Sequence, residues 1–432
     1  MFELNTVHRL LAPQWLDARQ LVVFEDSATV GNLFPLNVLR PSWEIRAGLG
    51  PMSEWLSALH SEGYKISLRP RENMLARACE MSGFDDKWED SSEPVIFLNG
   101  RVLHLPEINH DSSKKVVDNA GNVLWARVEG AKVSKLLSLS GTQLAEALVK
   151  QEDGGVCVED LGGIAATFIW DYMASNEKLL QKGFGGAEEA VLGSPLLPFP
   201  PGVANVGEKP VYAGDQPNIF PSVVLDSSDG PIWFGKNVTV EPHCYIKGPI
   251  AFGDHGKVKA GSVLYGGSSF GPHCRVSGEI SATIMQGYCN KQHAGFLGNS
   301  HLGEWVNLGA DTTVSNLRND YGPIKVKLNQ KLVDSGKQFV GLLCGDHVKT
   351  GINTMFNTGS VVGVAANVYG GGFPPRFIRS FSWGGNDGFH VEPLDRTLDS
   401  ARIAVKRRGR EISKAEVELL TEHYSNIIKQ EK

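Results

Sequence analysis

The chain has 432 residues, which exceeds the usual size of one domain, so two or more domains are expected. Apolar residues make up 41% and charged residues 21%, as is typical of a soluble globular protein. The net charge of −6 gives no support for binding to nucleic acid or to a membrane surface.

Cysteine usage and the first residues indicate a compartment. The six cysteines are scattered without a CxxC pair, which favours buried free thiols in a reducing environment over disulfides or a zinc site. The N-terminal sequence MFELNTVHRLLAPQW lacks the basic start and apolar core of a secretory signal. No apolar run is long enough to cross a bilayer. We therefore expect a cytoplasmic protein.

The first half of the chain alternates strands with helices. The runs LVVFED (21–26) and EPVIFLNGR (93–101) predict buried strands. Apolar spacing predicts helices over 52–63, 139–151 and 163–182. This alternation favours an open sheet covered by helices, in a domain spanning 1–195.

Residues 196–218 are rich in proline and glycine and show no periodicity, which predicts a linker. After it a six-residue repeat begins. FGKN starts at 234, FGDH at 252 and FGPH at 270, and the intervening sixth positions are apolar. The predicted interior residues are Phe234, Val240, Ile246, Phe252, Val258, Leu264, Phe270 and Val276. A bulky residue followed by glycine on this period is the signature of a hexapeptide β-helix.

The repeat slips by two residues after Val276 and then resumes. The predicted continuation is Ile284, Phe296, Leu302, Leu308 and Val314, with Asn290 as an exception, and then Cys344, Thr350, Phe356, Val362 and Val368. The irregular residues 315–343 predict a loop excursion. The β-helix is expected to span 219–375 and to end near the glycines 370–372. A tail over 376–432 with a helix at 413–430 follows.

The segment 278–322, which contains NKQHAGFLG, carries a family resemblance. It resembles the acetyltransferase half of the bifunctional glucosamine-1-phosphate acetyltransferase/N-acetylglucosamine-1-phosphate uridylyltransferases. It is still more similar to sugar nucleotidyl transferases with hexapeptide repeats. The resemblance implies an α/β nucleotidyltransferase-like (Rossmann-like) N-terminal domain and a left-handed parallel β-helix. It also implies a homotrimer with active sites between neighbouring helices.

Acetyl transfer from a thioester to an amine needs a base for the amine proton and a donor for the oxyanion. The resemblance aligns His293 with the base and gives the backbone N–H of Ala310 to the thioester oxygen. Glu279 would orient the base or contact the amine. The alternative is that His293 is a polar corner residue. His301 occupies a position that the family does not use for chemistry.

The resemblance assigns further residues to the substrate and the acyl donor. The substrate residues are Lys259, Asn307, Lys325 and Phe296. The residues expected to line the acetyl-CoA channel are Asn316, Ile352 and Gly371. Two departures put the exact substrate in doubt, since Phe296 replaces a tyrosine and Ser281 replaces a lysine.

The first domain departs further from its family pattern. A sugar nucleotidyltransferase has a glycine-rich loop after its first strand, followed by a lysine, and this chain has EDSATVGNLFPLNVLRP there. Arg40 and Arg46 are candidate nucleotide phosphate ligands. The position of the family's Mg²⁺-binding aspartate falls in VIFLNGR, which supplies Asn99 and Arg101, so the metal ligands stay unknown.

The sequence therefore predicts a transferase with acetyl-CoA as acyl donor, linked to UDP-N-acetylglucosamine biosynthesis. Its substrate would be an amino-sugar phosphate or a nucleotide amino sugar. Nucleotidyl transfer to a sugar 1-phosphate, with Mg²⁺, is left open for the N-terminal domain. The alternatives are a nucleotidyltransferase with a purely oligomerising β-helix and a non-catalytic trimer that binds sugar nucleotides. The basic segment 402–410 is interpreted as a solvated helix face rather than a phosphate site.

Overall fold

The structure is a computed structural model that describes residues 16–26, 28–84, 93–106, 108, 115–130, 132–150, 155–183, 194–328 and 331–431. The chain forms two compact units. The first consists of the residues up to 33 together with 39–45 and 50–171, and the second of 34–38, 46–49 and 172–432. The N-terminal residues 1–15, which argue against a secretory signal, lie outside the described residues.

The first unit is built on a mixed sheet. Its strands are β1 (Gln20–Phe24), β2 (Lys65–Arg69), β3 (Val95–Asn99), β4 (Val102–His104), β5 (Lys115–Val117), β6 (Val123–Val128), β7 (Gly155–Cys157) and β8 (Ile164–Ala165). The main sheet has the order β2-β1-β3-β6-β5-β7, and β1 is parallel to both of its neighbours. All five residues of β1 and of β3 are buried, because these strands are covered on both faces.

Helices surround this sheet. They are α1 (Met52–Ser61), α2 (Leu75–Ser82), α3 (Lys132–Leu137), α4 (Gly141–Val149) and α5 (Ile169–Lys182), with short 3₁₀ turns at Val30–Leu33, Ser42–Glu44 and Glu72–Met74. A capping box of Ser140 and Gln143 starts α4. The single helix predicted over 163–182 is wrong at its start. The Asp171 carboxylate accepts the backbone N–H groups of Thr167 and Phe168, and so caps a helix that begins only at Ile169.

The second unit is a parallel β-solenoid with three faces. The first face contains β10 (Ala204–Val206), β13 (Val224–Asp226), β16 (Tyr245–Lys247), β19 (Val263–Leu264), β22 (Glu279–Ser281), β25 (Phe296–Gly298), β27 (Thr313–Val314) and β32 (Met355–Phe356). The second contains β9 (Ser194–Pro195), β11 (Val211–Ala213), β14 (Ile232–Phe234), β17 (Ile250–Phe252), β20 (Ser268–Phe270), β23 (Ile284–Gly287), β26 (His301–Glu304), β30 (Leu342–Cys344), β33 (Ser360–Val362) and β35 (Phe377–Ile378).

The third face completes each coil. It contains β12 (Asn218–Ile219), β15 (Thr239–Val240), β18 (Lys257–Val258), β21 (Arg275–Val276), β24 (Asn290–Lys291), β31 (Lys349–Thr350), β34 (Asn367–Val368), β36 (Ser382–Gly385) and β37 (Gly388–Val391). The predicted combination of an α/β domain with a parallel β-helix is confirmed. The eight interior residues predicted from Phe234 to Val276 are all buried in one apolar core.

Beyond Val276 the predicted register is partly wrong. Phe270 pairs with Met285, and Met285 with Leu302, so these coils have 15 and 17 residues instead of 18. Counting by six therefore places Ile284 and Phe296 inside, whereas their successors Met285 and Leu297 join the core. The later predictions from Leu302 onward hold, because Leu302, Leu308, Val314 and the set from Cys344 to Val368 are buried.

Two predicted boundaries of the solenoid also differ from the structure. Residues 204–219, assigned to the linker, form β10, β11 and β12, and each pairs with the strand one coil later. The coil does not end at the glycines 370–372, since β35 pairs with β33 and β36 with β34. Proline and glycine occupy turns here, and short two- or three-residue strands leave little periodicity to detect.

The excursion at 315–343 carries an antiparallel hairpin of β28 (Lys325–Leu328) and β29 (Lys331–Asp334). After the chain come two helices, α6 (Leu394–Lys406) and α7 (Lys414–Glu431), of which the sequence predicts only the second. Among the described residues, none of the helices combines the length and apolarity that crossing a membrane requires. All six cysteines are free, and Cys244, Cys274, Cys289 and Cys344 are buried, as expected.

A stack of rings follows the turns between the second and third faces. This aromatic ladder consists of His255, His273, Tyr288, Trp305 and His347, with successive centroids 4.7, 4.9, 4.2 and 6.5 Å apart. The C-terminal chain covers it: the Arg410 guanidinium lies 5.2 Å from the Tyr288 ring centroid, and Glu416 Oε1 lies 2.9 Å from His347 Nε2. Part of the basic segment 402–410 therefore contacts the solenoid.

Candidate active site on one corner of the solenoid

Several predicted site residues lie along one corner of the solenoid. We call the turns between the third and first faces the site corner; they comprise residues 259–262, 277–278, 292–295, 309–312, 351–354 and 369–372. Neighbouring strands of a sheet are about 4.8 Å apart, so successive turns are stacked at this spacing. The corner carries Lys259, His293, Ala310, Ile352 and Gly371, and Glu279 begins the strand that follows its second turn.

His293 is exposed at the third of these turns. The turn is tightly stacked between its neighbours: a side chain at Gly278, which has φ +83°, would collide with the carbonyl oxygen of Gly295. A side chain at Gly295, which has φ +106°, would collide with that of Thr312. Glycine is required at both positions, because the conformation and the close backbone approach exclude a Cβ. The backbone around His293 is thus fixed by the coils on either side.

Lys291, two residues before His293, points into the solenoid. It pairs with Val276 of the preceding coil, an interior residue, and its side chain is completely buried. Its Nζ donates to the backbone carbonyls of His293 and Ala294, the latter at 2.6 Å, and lies 3.5 Å from that of Ser277. Burial lowers the pKa of this amine to about 8, against the opposite influence of the Asp311 carboxylate. Sequence reasoning missed Lys291, because the shifted register assigns its neighbour Asn290 to the interior.

An open cavity of about 530 Å³ lies on the same corner, beginning one coil beyond His293. Its lining residues are Asp311, Thr313, Ile352, Asn353, Met355, Gly370, Gly371 and Gly372. The volume falls within the range of small-molecule sites. Two of the three predicted acetyl-CoA residues, Ile352 and Gly371, are therefore brought together in one cavity, and Ile352 is 70% exposed there. Asp311, Thr313 and Met355 are additional lining residues that the sequence did not single out.

The outer surface of the first face joins this cavity to the His293 turn. Glu279 pairs with Phe296, and the Phe296 backbone N–H lies 3.2 Å from Thr313 Oγ1. These side chains alternate with the buried Ile280, Leu297 and Val314, so they project outward. Glu279 is exposed and Phe296 is half-buried. The candidate catalytic residues and the cavity thus share one continuous surface.

Lys259, the expected phosphate ligand, has a partner of its own. Its Nζ lies 2.8 Å from Glu241 Oε1, and Lys257 Nζ lies 2.9 Å from the same oxygen. Hydrogen bonds from Lys259 and Lys257 lower the pKa of the Glu241 carboxyl to about 2. A phosphate that binds Lys259 would have to compete with this carboxylate.

Three predicted residues lie away from the His293 turn. Asn307 is exposed on the third face, where it bridges Asn290 and Lys349. Asn316 lies at the far end of the first face, and its side-chain N–H donates to Asn299 Oδ1 at 2.7 Å rather than facing the cavity. Lys325 is exposed on the excursion hairpin. Within this unit none of the three contacts His293, and their roles stay predictions.

His301 agrees with its non-catalytic interpretation. It is fully buried on the outer side of the second face, with its ring centroid 5.9 Å from that of Tyr172. His243, His255 and His273 all have positive φ and occupy turns of the coil, as corner residues do. Within the described part of the chain, no group of three or more His, Cys, Asp or Glu side chains is arranged to hold a metal ion.

In the first unit, the end of the central strands forms an internal ion-pair network. Asp26 accepts Asn99 Nδ2 at 2.7 Å and Arg101 Nε at 2.9 Å on one oxygen, and the hydroxyl and backbone N–H of Thr29 on the other. Burial raises the pKa of Asp26, but the Arg101 guanidinium and these hydrogen bonds outweigh it and hold the pKa below its usual value. Both carboxylate oxygens already accept protein donors, so these residues do not fit a Mg²⁺ site.

The two candidate nucleotide ligands are both buried. Arg40 is 2% exposed in the first unit and Arg46 is 4% exposed in the second. The Arg46 guanidinium donates to the backbone carbonyls of Leu49 and Gln286, at 2.8 and 3.3 Å. The structure thus gives neither arginine the exposure that a phosphate ligand needs, because each guanidinium is enclosed by its own unit.

Comparisons with known proteins place part of this chain among sugar nucleotidyl transferases. A family model described as sugar nucleotidyl transferase matches residues 21–189. A bifunctional sugar-1-phosphate nucleotidylyltransferase/acetyltransferase from Sulfurisphaera tokodaii is 35% identical over 95 residues, which are 22% of this chain and 24% of that protein. The bifunctional protein GlmU of Methanocaldococcus jannaschii is 39% identical over 87 residues, 20% of this chain and 21% of that protein. The matches span about a quarter or less of these relatives.

Solved structures were also compared. AntD, an N-acyltransferase from Bacillus cereus in complex with dTDP and coenzyme A, has 13% identity and a TM-score of 0.25, with 39% of this chain and 88% of that chain covered. The polySia-specific acetyltransferase NeuO has 12% identity and a TM-score of 0.29, with 47% and 97% covered. Similarity at this level carries no argument about function. The predicted resemblance to nucleotidyl transferases and bifunctional transferases is confirmed by the family model and the relatives, for part of the chain.

Proposed function

We propose that this chain is a transferase acting on sugar phosphates or nucleotide sugars, and that its solenoid transfers an acetyl group from acetyl-CoA to an amino sugar. The observation that carries the proposal is the exposed His293, one coil from the cavity that Ile352 and Gly371 line. The relatives named as nucleotidylyltransferase/acetyltransferase support the substrate class.

The chemistry follows from the positions on the site corner. The amine nitrogen of the sugar attacks the thioester carbonyl carbon while His293 takes the amine proton. The backbone N–H of Ala310, on the next turn, donates to the oxyanion. The carbon–sulfur bond then breaks, and the proton passes from His293 to the departing sulfur. Phe296 and Glu279, on the surface that joins His293 to the cavity, would contact the acceptor sugar.

The test is acetyl-CoA consumption with glucosamine 1-phosphate and related amino sugars. His293→Ala should lower kcat by roughly 10²–10⁴-fold, the usual contribution of a positioned general base. His243→Asn is the matched control, since His243 is another exposed histidine of the same corner and asparagine tolerates its φ of 61°. Wild-type turnover in His293→Ala, or no turnover of any amino sugar by the wild type, would refute the assignment.

The match over residues 21–189 favours a second candidate, nucleotidyl transfer to a sugar 1-phosphate in the first unit. The contacts of Asp26 oppose a Mg²⁺-dependent form of it. Incubation with sugar 1-phosphates, nucleoside triphosphates and Mg²⁺ tests this candidate by pyrophosphate release. Release would establish nucleotidyl transfer, and its absence would leave nucleotide-sugar binding as the role of this unit.

A further inference from the structure

One interior column of the solenoid contains a lysine where aliphatic residues are expected. The column runs from Val258 through Val276 to Lys291 and continues with Leu308. Val258, Val276 and Leu308 are all buried in the apolar core. An interior ammonium loses its hydration, so an aliphatic side chain would fill this position at lower cost. What distinguishes Lys291 is therefore the set of groups that its amine reaches.

All the acceptors of the Lys291 amine lie on the site corner. The carbonyls of His293 and Ala294 belong to the His293 turn, and that of Ser277 belongs to the turn of the preceding coil. The amine thus holds two consecutive peptide groups of the exposed turn from inside. A short turn whose carbonyls point inward has few remaining backbone conformations, and these determine the direction of the Cα–Cβ bond of His293.

We propose that Lys291 is a positioning residue, which orients His293 by anchoring the carbonyls of residues 293 and 294 from within the solenoid. The proposal rests on the proposed acetyl transfer and deepens it. Lys291 is buried and does not touch the substrate, so it acts on the alignment of the base and not on binding. Misalignment by about 1 Å can cost on the order of 100-fold in rate.

The decisive variant is Lys291→Met, which fills the column with an apolar side chain and removes the ammonium. We expect a folded protein whose kcat falls by about 10- to 100-fold, with the KM values for acetyl-CoA and the amino sugar within about twofold of wild type. Leu308→Met is the matched control for repacking of the same column, one coil away, and should keep the wild-type kcat. Wild-type kcat in Lys291→Met would overturn the proposal.

A second measurement does not depend on activity. In protein carrying ¹⁵N-labelled histidine, the His293 ring signals, assigned by their loss in His293→Ala, should shift or broaden in Lys291→Met and stay unchanged in Leu308→Met. Unchanged His293 signals in Lys291→Met would refute the positioning role, even if the wild type proves to acetylate nothing. Failure of the proposed function and failure of this inference are thereby distinguished.

Chemical rescue covers the case in which Lys291→Met does not fold. Lys291→Ala leaves a channel from the interior to the turn, and added ethylammonium should restore both the wild-type histidine signals and part of kcat. Ethanol, of similar size but uncharged, should restore neither. Equal effects of the two additives, or no effect of ethylammonium, would contradict a specific role of the amine.

Discussion

The Nε of Arg101 lies 2.9 Å from Oδ2 of Asp26, and both side chains are buried at the end of the central strands of the first unit. The same guanidinium reaches Asp118 Oδ2 at 2.6 Å through Nη2. One arginine therefore neutralises two carboxylates at the sheet edge where ligands bind in open α/β folds. The resemblance expects a metal ion in this region, and the chain supplies a covalently attached cation.

Removing that cation should destabilise the first unit. We expect Arg101→Met to lower its free energy of unfolding by about 3–5 kcal/mol, because two buried carboxylates lose their partner. Arg127→Met is the control: Arg127 is 24% exposed and its partner Asp17 is 32% exposed, so the loss should stay below about 1 kcal/mol. Urea denaturation of both variants measures the difference. Equal losses would show that the Arg101 network contributes no more than a surface ion pair.

The cavity on the site corner should govern the acyl donor. Ile352→Glu places a charge on its wall and should raise the KM for acetyl-CoA on the order of tenfold, with little effect on the KM for the amino sugar. Its effect on stability should stay within about 0.5 kcal/mol because Ile352 is exposed. Ile403→Glu, on an equally exposed isoleucine of α6, should change neither KM. An unchanged KM in Ile352→Glu would remove acetyl-CoA from this cavity.

Glu241 should weaken the binding of a substrate phosphate, since it occupies Lys259. Glu241→Gln leaves both lysines but removes the competing charge. We expect a KM about two- to fivefold lower for a phosphate-bearing acceptor, as loss of a surface ion pair of up to about 1 kcal/mol allows. Asp229→Asn, which breaks the exposed pair with Lys247 instead, should have no effect. No change in Glu241→Gln would argue against Lys259 as a phosphate ligand.

The C-terminal helix α7 should weaken in acid through His423. Burial lowers the pKa of His423 to about 4, and its Nε2 lies 2.8 Å from Ser380 Oγ. The folded state keeps this imidazole neutral, while the unfolded chain takes up a proton below about pH 6.5. Stability is therefore lost as the pH falls from about 6.5 to 4, by at most about 3 kcal/mol.

Comparison of unfolding between pH 7 and pH 4 measures this effect. His423→Gln should show a flatter pH dependence than wild type over that range, because its side chain does not titrate. His390→Gln should follow the wild type, since His390 is 64% exposed. Parallel curves for His423→Gln and wild type would contradict the assignment.

The repeat made much of the second unit predictable. Phe252 and Phe270 are stacked as the 18-residue return requires, because each coil repeats the geometry of the one before. The position of His293 at an exposed turn also follows from the repeat and the resemblance. Lys291 could not be found this way, since short coils shift the register by one residue and a lysine is not an expected interior residue.

Long-range pairing explains what the sequence could not show in the first unit. Asp26 and Arg101 are 75 residues apart, and no local pattern indicates that they meet. The starts of β10 and β11 are hidden for a different reason, because strands of three residues between prolines and glycines have too few alternating positions to be recognised. Helix α6, in contrast, follows Pro393 and has an apolar stripe at Leu398, Ala401 and Val405 that the basic composition of the segment obscured.

The aromatic ladder links consecutive coils to the end of the chain. A solenoid coil contacts only its neighbours, so coils are ordinarily lost one by one from an open end. Here Arg410 covers Tyr288 and Glu416 contacts His347, which joins the C-terminal segment to coils well before the last one. The final coils therefore cannot detach while these contacts persist, and the order in which the solenoid comes apart is set by its own C-terminal residues.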